Sequence, residues 1–238
     1  MEYVHDMNQI DDIEILYEDN HILVVVKPCN ILSQGDSTGD KDMITILKRY
    51  IKNKYNKPGN VYLGLVHRLD RPVGGIMVFA KSSKAASRLT EMFKKHDFTK
   101  KYIAVVEGTF EQKEGTMKNY IRKKENGNSE ITDSKDGKYA ELNYKVLEEN
   151  ISNNLSLVEI ELLTGRHHQI RVQFASRNHC LYGDQRYGKL NGKQIALWAY
   201  KLEFLHPVKK ECMLFTYFPP KNGVWNLFNV KMQNSSCK

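Results

Sequence analysis

The chain alternates short apolar runs with polar or glycine-rich breaks, a pattern typical of β-strands joined by turns. The first two runs meet at Asp19-Asn20 and the second ends at Pro28, so residues 15–28 predict a strand, a turn and a second strand. The same pattern predicts strands over 61–66, 76–80, 101–108, 139–147, 155–163 and 195–204, and a last extended segment over 215–219. Residues 111–138, rich in charged residues, Asn and Gly, predict exposed hairpins or a mobile insertion.

Two other segments repeat apolar residues at helical spacing. Residues 43–51 place apolar side chains on one face and lysines on the other, and we interpret this helix as a structural element. A second helix is predicted from Ala86 to Phe93, with Ser82 or Ser83 placed to cap its first turn. Both helices are amphipathic, so each is expected to pack against a sheet.

Residues 169–175 leave two structures open. Their apolar positions alternate as in a strand, but they also lie one turn apart, as in a helix capped by Thr164. Elsewhere strands and helices are mixed without strict alternation. This mixture predicts an α+β fold in which a large mixed, mostly antiparallel sheet is flanked by helices.

The 238 residues are enough to bury a full core, and we predict one catalytic domain over residues 15–238. The weakly patterned residues 1–14 are predicted to be a leader that pairs or frays. This leader has no apolar signal region, and no stretch approaches the length of a membrane span. We therefore expect a soluble protein that does not associate with a membrane.

The balance of charges narrows the class of partner. The chain has 36 Lys and Arg against 28 Asp and Glu, a net charge of +8. Such an excess favours a polyanionic partner, which can be RNA, DNA or an anionic surface.

The four cysteines, Cys29, Cys180, Cys212 and Cys237, are scattered along the chain. They have neither the short paired spacing of a zinc site nor the density of a disulfide framework. Reduced thiols and a cytoplasmic location are the expectation. The neighbouring His167-His168 pair has no acidic or cysteine partner at useful spacing, so no metal is expected either.

Residues 67–75 carry the first cluster with chemical potential. Asp70 has Arg68, Arg71 and His67 within three positions, and nearby cations favour the ionised form of an acid. Pro72 stiffens the backbone, and the two glycines that follow permit a tight turn or a close approach to a ligand. A charged carboxylate on a stiff, basic loop is one interpretation, and a simple salt-bridged turn is the other.

A second cluster follows the predicted strand 155–163. Residues 164–175 contain two arginines, two histidines and a glutamine after a glycine turn, which gives many hydrogen-bond donors at the end of a sheet. Such donors suit an anionic or polar ligand.

Taken together, the motifs are similar to those of the RluA family of RNA pseudouridine synthases. The resemblance covers the chain from about Ile15 to Pro220 and rests on six motifs in order. These are Tyr17-Glu18-Asp19 to Lys27-Pro28, His67-Arg68-Leu69-Asp70, Lys101-Tyr102-Ile103-Ala104, Thr164-Gly165-Arg166 to Arg171, Gly183-Asp184 with Tyr187-Gly188, and His206-Pro207.

The resemblance implies an isomerase that uses no cofactor and acts on ribosomal or transfer RNA. A uridine is detached from its sugar, turned, and rejoined through a ring carbon. The family's catalytic aspartate falls on Asp70, its tyrosine on Tyr102, and the arginine that pairs with the aspartate on Arg171. The resemblance also favours a helix for residues 169–176, and the residues expected to bind substrate are His67, Arg68, Arg166, His168 and Gln169.

The chemistry of these residues agrees with that activity. A stacked uridine has to be flipped out of the RNA, and Arg68 is placed to enter the vacated stack, as the matching arginine does in the family. Asp70 then acts as a nucleophile towards sugar or base, or stabilises a cationic sugar. Tyr102 either stacks on the base or takes the ring proton that leaves.

The chain departs from the family pattern in three places. Val73-Gly74-Gly75 replaces a common Thr-Ser-Gly, which removes two hydroxyls. His167 stands where Thr is common and Gln173 where His is common, both expected near an RNA-facing rim. Residues 1–14 are also too short for the S4 RNA-binding module of many relatives, so we expect the catalytic domain alone to bind RNA.

Two other functions are alternatives to the pseudouridine synthase. In each case we expect a monomer. An N-glycoside hydrolase that uses Asp70 needs a second carboxylate, for which Glu18, Asp19 and Asp184 are candidates. A non-catalytic RNA-binding protein of the same fold is the other alternative, although retention of Asp70, Tyr102 and Arg171 together argues against it.

Overall fold

The computed structural model describes residues 13–95, 97–189 and 192–229, together with the backbone of 235–236. The predicted leader lies outside the described residues apart from its last two positions. The chain forms two compact units: the first comprises Met1–Lys95 with His206–Lys210, and the second His96–Leu205 with Glu211–Lys238. The proposed single catalytic domain over 15–238 stays a prediction.

The first unit contains four strands and two helices. In chain order they are β1 (Ile15–Glu18), β2 (Ile22–Lys27), α1 (Met43–Lys54), β3 (Gly64–Leu65), β4 (Gly74–Ala80) and α2 (Ser83–Lys95).

Strands β2 and β4 form the centre of this unit. They pair antiparallel from Ile22 opposite Ala80 to Lys27 opposite Gly75, and all their residues are buried. Strand β1 pairs with β2, and β3 pairs with β4. The unbroken apolar runs of β2 and β4 follow from burial on both faces.

Both helices begin where a polar side chain caps them. The carboxylate of Asp42 accepts from the backbone N–H of Thr45 at 3.1 Å, and the hydroxyl of Ser82 accepts from that of Ala85 at 3.2 Å. The predicted cap at Ser82 is therefore confirmed. The apolar face of α1 is buried through Met43, Leu47 and Ile51.

The turn between β1 and β2 is built on Asp19. One carboxylate oxygen accepts from the backbone N–H groups of His21 and Ile22, at 2.7 and 2.9 Å. The other lies 3.0 Å from Nε2 of the buried His206, whose Nδ1 accepts from the N–H of Lys209 at 2.9 Å. The predicted turn at Asp19-Asn20 is confirmed, and the segment 206–210 belongs to this unit because of that contact.

The second unit is dominated by strands. In chain order it contains β5 (Phe98–Glu107), β6 (Glu114–Lys123), β7 (Ser129–Thr132), β8 (Lys138–Asn150), β9 (Leu155–Leu162), α3 (Gln169–Ala175), β10 (Leu197–Leu205), β11 (Cys212–Thr216) and β12 (Ser235–Ser236).

The strands of this unit lie in the order β10-β5-β9-β8-β6-β7, and β11 pairs with both β10 and β12. Each of these pairs is antiparallel. Strand β5 is central, and Ile103 to Val106 are fully or almost fully buried between its neighbours. With helices that do not alternate with the strands, the predicted α+β fold is confirmed.

Two segments test the finer predictions. The strand predicted over 61–66 is correct only for Gly64–Leu65. Residues 111–138 form the β6–β7 hairpin and the turn into β8, so the prediction of exposed hairpins is confirmed, although Met117 and Ile121 are buried.

In the part of the chain that the structure describes, no helix is long and apolar enough to cross a membrane, and the cysteines at 29, 180 and 212 are free.

We expect the free energy of unfolding to fall on acidification. Burial alone would raise the pKa of Asp19, but the backbone N–H groups of Ile22 and His21 and the nearby His206 lower it to about 2. This stabilisation, about 2 kcal/mol, is present above pH ~4 and is lost as the pH falls towards 2. Burial also lowers the pKa of His206, so the unfolded chain takes up that proton first and stability declines below pH ~6.5.

Urea unfolding over this pH range measures the effect, with Asp19→Asn compared with the same change at the exposed Asp97. D19N should lose less stability than the wild type between pH ~4 and ~2, because it lacks the carboxylate whose titration is coupled to unfolding. D97N should follow the wild type. If the free energy of unfolding fell equally steeply with pH in D19N and the wild type, the account would be contradicted.

Candidate active site

The predicted site residues fall in both units. Asp70 lies in the first unit, in the loop that enters β4, and is half-buried. Its carbonyl accepts from the N–H of Val73 at 3.0 Å, which closes a turn directly after the carboxylate. Gly75 then adopts φ 125°, a value that a residue with a side chain rarely takes. The turn falls at Arg71 and Pro72, and both glycines belong to β4, so the tight turn expected at the glycines lies just before them.

The side chain of Lys27 holds this loop in place. It is completely buried, and Nζ donates to the carbonyls of Pro28, Ile31 and Arg71 at 3.0, 2.6 and 3.1 Å. Three carbonyls satisfy the three N–H donors of an ammonium. One of them belongs to the residue that follows Asp70, so the lysine fixes the loop at that point.

The charge of Lys27 is coupled to Asp70. Burial lowers the pKa of Lys27 to about 8, and the nearby carboxylate of Asp70 acts in the opposite direction. A lysine with this pKa remains mostly charged near neutral pH. It therefore provides a fixed positive charge close to the loop that carries Asp70.

Ser33 fixes the other side of Asp70. Its hydroxyl donates to the carbonyl of Leu69 at 2.7 Å and accepts from the N–H of the same residue at 3.1 Å. Leu69 is buried. Asp70 therefore lies between two residues whose backbones are both bonded to distant side chains, which limits how far the carboxylate can move.

The basic neighbours of Asp70 differ in their surroundings. His67 accepts from the N–H of Val78 through Nε2 at 3.0 Å and stacks on Phe93, contacts that anchor the loop to β4 and α2. Arg71 pairs with Asp40 at 2.7 Å, and both side chains are about half exposed. Arg68 is exposed and forms no ion pair with a described residue.

In the second unit, the turn before α3 is closed by Gln169. Its Oε1 accepts from the hydroxyl of Thr164 at 2.8 Å and from the N–H of Arg166 at 2.9 Å, while its Nε2 donates to the carbonyl of Glu141. The helix begins at Gln169, so the helical interpretation of 169–175 is confirmed. The predicted cap by Thr164 is wrong, since His168 is the first flanking residue and no side chain caps the helix.

The two histidines before α3 are held by hydrogen bonds on one side. Their rings stack with centroids 3.8 Å apart. Nδ1 of His167 lies 3.0 Å from the Ser129 hydroxyl, and Nδ1 of His168 lies 2.9 Å from the Tyr187 hydroxyl. That tyrosine oxygen also accepts from the backbone N–H of Ser129 at 2.6 Å, which connects the histidines to β7.

Arg171 forms a buried ion pair with Asp184. Its Nε and Nη2 donate to the two carboxylate oxygens at 2.8 and 2.7 Å, and Arg171 is only 3% exposed. Burial raises the pKa of Asp184, but Arg171 and the N–H groups of Arg186 and Tyr187 outweigh it and hold the pKa below the usual value. The Tyr187 ring lies 5.3 Å from the guanidinium carbon. The guanidinium is thus fixed in orientation.

The glycine before Asp184 is required by its backbone. Gly183 has φ 75°, and a Cβ at this position would collide with the backbone of Gln194. The Gly-Asp motif therefore reflects a steric requirement next to the ion pair.

Tyr102 lies on the central strand β5 beside an irregularity in β10. It is buried and stands opposite Ala199, and Tyr200 is the extra residue of a bulge before Lys201 pairs with Lys101. The Tyr200 hydroxyl donates to Glu159 at 2.5 Å, an acceptor shared with Lys101 at 2.7 Å. Bulges are over-represented beside active sites, where they redirect side chains.

Gln173 corrects one expectation. Its side chain is completely buried and its Nε2 donates to the Met117 carbonyl at 3.1 Å, so it anchors α3 to β6. It does not lie at an RNA-facing rim.

Sequence reasoning missed the partners that hold these groups. Lys27, Ser33 and Tyr187 were not among the predicted site residues, although Lys27 and Tyr187 belong to motifs of the resemblance. Asp184 was considered only as a second carboxylate, but its partner is Arg171. Within the described ranges no three His, Cys, Asp or Glu side chains are grouped in a way that could hold a metal.

Solved structures define the class of this fold. The human RNA pseudouridylate synthase domain containing 4 matches with a TM-score of 0.74 over 90% of each chain, at 22% identity. The human RNA pseudouridylate synthase domain containing 1 matches with a TM-score of 0.70, at 25% identity, over 89% of this chain and 85% of that one. The fold is that of the RNA pseudouridylate synthases.

The sequence comparison gives the family directly. A model of the RNA pseudouridylate synthase family matches residues 21–176, and the chain belongs to this family. It is 36% identical to the uncharacterized RNA pseudouridine synthase YhcT of Bacillus subtilis, over 85% of this chain and 67% of the relative. It is 33% identical to the ribosomal large subunit pseudouridine synthase D of Borreliella burgdorferi, over 85% and 66%. The resemblance to the RluA family is confirmed.

Replacing Lys27 with Met should destabilise the first unit. The methionine keeps an apolar stem of similar length but leaves three buried carbonyls without their donor, so we expect a loss of about 2–4 kcal/mol. The exposed Lys84→Met on α2 is the matched control and should change the free energy of unfolding by less than ~0.5 kcal/mol. Urea unfolding of both variants tests this, and equal stability of K27M and the wild type would refute the role assigned to Lys27.

Replacing Asp184 with Asn should destabilise the second unit through Arg171. The change removes the negative charge from a buried pair, for which we expect a loss of about 3 kcal/mol. Arg122 and Glu130 offer an exposed match, because Nε and Nη2 of that arginine contact one carboxylate oxygen at 3.0 and 2.6 Å. E130Q should cost less than ~1 kcal/mol. Similar losses for the two variants, measured by urea unfolding, would contradict the account.

Proposed function

We propose that this protein converts uridine to pseudouridine in RNA and that Asp70 is the catalytic carboxylate. Membership of the family supports the reaction class. The contacts that hold Asp70 in place support its choice as the catalytic residue. Lys27 and Ser33 fix the residues on both sides of Asp70, and the charge of the buried lysine attracts its carboxylate. A preorganised anion of this kind suits a step in which positive charge develops on the sugar.

The reaction requires the target base to leave the RNA stack. Flipping a nucleotide costs a few kcal/mol, and a side chain that fills the vacated space reduces this cost. Arg68 suits that role, since it is exposed, is next but one to the catalytic carboxylate, and has no ion-pair partner among the described residues. The bond between the sugar and N1 of uracil then breaks, the base turns, and a bond to C5 forms; the C5 proton is lost and N1 takes up a proton, so the product is an isomer of uridine.

Tyr102 and Arg171 complete the proposed catalytic set. Arg171 pairs with Asp70 in the family pattern, and its bonds to Asp184 through Nε and Nη2 hold the guanidinium in one orientation. Tyr102 stacks on the flipped base or accepts the proton from C5. Asp184 acts as a positioning residue through Arg171.

Five residues are proposed to bind the substrate, and they contribute in different ways. Arg166 and His168 offer polar groups beside α3, and Gln169 shapes that turn through its bonds to Thr164 and Arg166. His67 anchors the loop that carries Arg68, so its contribution is to position that arginine.

Ribosomal RNA is the proposed substrate class, with transfer RNA as the second class. Two relatives, from Borreliella burgdorferi and Rickettsia prowazekii, are ribosomal large subunit pseudouridine synthases by name. The net charge of +8 agrees with an RNA partner. We further propose that residues 15–238 act as one catalytic domain, without a cofactor, as a monomer in the cytoplasm.

The hydrolase alternative is less well supported. Its three candidates for a second carboxylate are each engaged by cations: Asp184 by Arg171, Asp19 by Lys209, and Glu18 by Lys54 and Lys81. A carboxylate held in this way is a poor general base. Release of free uracil is the product that would favour hydrolysis over isomerisation.

Replacing Asp70 with Asn should abolish the reaction and leave RNA binding nearly intact. The amide keeps the shape of the side chain but removes the charge, so we expect a loss of more than ~10³-fold in kcat, which corresponds to about 4 kcal/mol. The assay is tritium release from unmodified ribosomal and transfer RNA transcripts labelled at C5 of uridine. Binding of the same transcripts should change by less than ~3-fold.

Asp36→Asn is the matched control, because Asp36 is exposed and its carboxylate bonds only within its own turn, to Thr38. It should retain the wild-type rate. Turnover by D70N close to that of D36N would eliminate Asp70 as the catalytic group, and binding by the wild type without any turnover would favour the non-catalytic alternative.

A further inference from the structure

Helix α1 and the residues that follow it carry an unusually one-sided charge. From residue 43 to residue 69 the chain has six Lys and Arg and no Asp or Glu. Four of the six lie on α1, and clustering of lysine and arginine along a helix is the electrostatic footprint of a polyanion-binding surface.

The basic residues lie on one face of α1. Lys48 and Lys52 are one turn apart, Arg49 is three positions before Lys52, and all three are exposed. The N–H of Lys57 bonds to the carbonyl of Lys52 at 3.1 Å, which brings a fourth basic residue back to this end of the helix. We call Lys48, Arg49, Lys52 and Lys57 the basic face.

The side chains of the basic face form no ion pair and no hydrogen bond with any residue that the structure describes. Like charges one turn apart cost about 0.2–0.5 kcal/mol per pair. Lysines elsewhere on the surface do have acidic partners, for example Lys95 with Glu91, Lys113 with Glu149 and Lys189 with Glu107. The basic face therefore lacks the neutralisation found at those positions.

The end of the helix beside the basic face is rigidly held. The carboxylate of Glu18 on β1 accepts from the hydroxyls of Tyr50 and Tyr55 at 2.9 and 3.0 Å, and from Nζ of Lys54 and Lys81, both at 2.7 Å. One carboxylate facing two ammonium groups leaves an excess of positive charge. It also fixes the last turn of α1 and the residue after it, so the basic face is preorganised.

We propose that the basic face is a second RNA-binding surface, which contacts the phosphate backbone outside the target nucleotide. This proposal rests on the proposed function only in taking RNA as the ligand. Exposed lysine and arginine at helical spacing suit phosphates, which carry no base-specific information. The surface would therefore add affinity and orient the RNA without selecting the uridine.

The test is the triple variant K48Q/R49Q/K52Q, in which glutamine keeps the helix propensity and removes three charges. The charge-matched control is K95Q/K113Q/K189Q, which removes three lysines that have acidic partners. Both variants change the net charge of the protein from +8 to +5, since three unit charges are lost in each. Urea unfolding checks that both are folded. If the triple variant is not folded, K48Q/K52Q replaces it and K95Q/K113Q becomes its charge-matched control.

The probe is a fluorescent, unmodified transcript of ribosomal RNA, whose dissociation constant is measured by anisotropy from about 50 to about 300 mM KCl. The basic-face variant should bind about 10-fold more weakly at low salt, with a salt slope reduced by about 2 to 3. The control should stay within ~2-fold of the wild type with an unchanged slope. In turnover assays the basic-face variant should raise KM and leave kcat unchanged.

Equal weakening of both variants would overturn the proposal, because net charge would then explain the effect. Wild-type binding by the basic-face variant would also overturn it, as would selective loss of binding to anionic vesicles in place of RNA. Failure of the proposed function gives a different result: the wild type makes no pseudouridine, while the basic-face variant still loses RNA affinity.

Discussion

The candidate site depends on one buried ammonium group. Lys27 is completely excluded from solvent, and burial of a lysine is costly unless its donors are satisfied. Three backbone carbonyls satisfy it, and each comes from a segment that otherwise has no regular structure. The lysine therefore determines the path of the loop that carries Asp70. Its buried charge also lies close enough to the Asp70 carboxylate for the two groups to attract each other.

The second unit also holds its site with a buried cation, but there the acceptor is a carboxylate and not a set of backbone carbonyls. There a buried guanidinium is held by a buried carboxylate, and the carboxylate is held by two backbone N–H groups. Groups fixed in this way need no reorganisation when charge develops in a transition state. The contrast with the basic face of α1 is informative. Lys27 and Arg171, which position the proposed chemistry, are buried and hydrogen-bonded. The side chains of the basic face are exposed and form no ion pair with a described residue.

The sequence was sufficient for most of the fold, because the signals there are local. The turn at Asp19 and the cap at Ser82 each depend on hydrogen bonds that span three residues or fewer. Helix α3 was ambiguous for a physical reason: Gln169 to Phe174 are all buried, so the segment has no polar face to reveal its period. The same burial explains why Gln173 was misplaced at a rim.

The contacts that support the site could not be predicted from the sequence, for a different reason. The bond from Lys27 to Arg71 joins residues 44 positions apart, and that from Ser33 to Leu69 joins residues 36 apart. No periodicity encodes such pairs. The clustering of His67, Arg68 and Arg71 around Asp70 was visible in the sequence, but the pairing of Arg71 with Asp40, 31 positions away, was not.

The central claim is that a preorganised Asp70 isomerises uridine in RNA. Mapping pseudouridines in total RNA from cells with and without this protein tests that claim most directly. The account predicts that at least one uridine, in ribosomal or transfer RNA, loses its modification in the deletion strain and regains it with the wild-type protein but not with an Asp70 variant. An identical pseudouridine map in the two strains, or restoration of the site by the Asp70 variant, would contradict it.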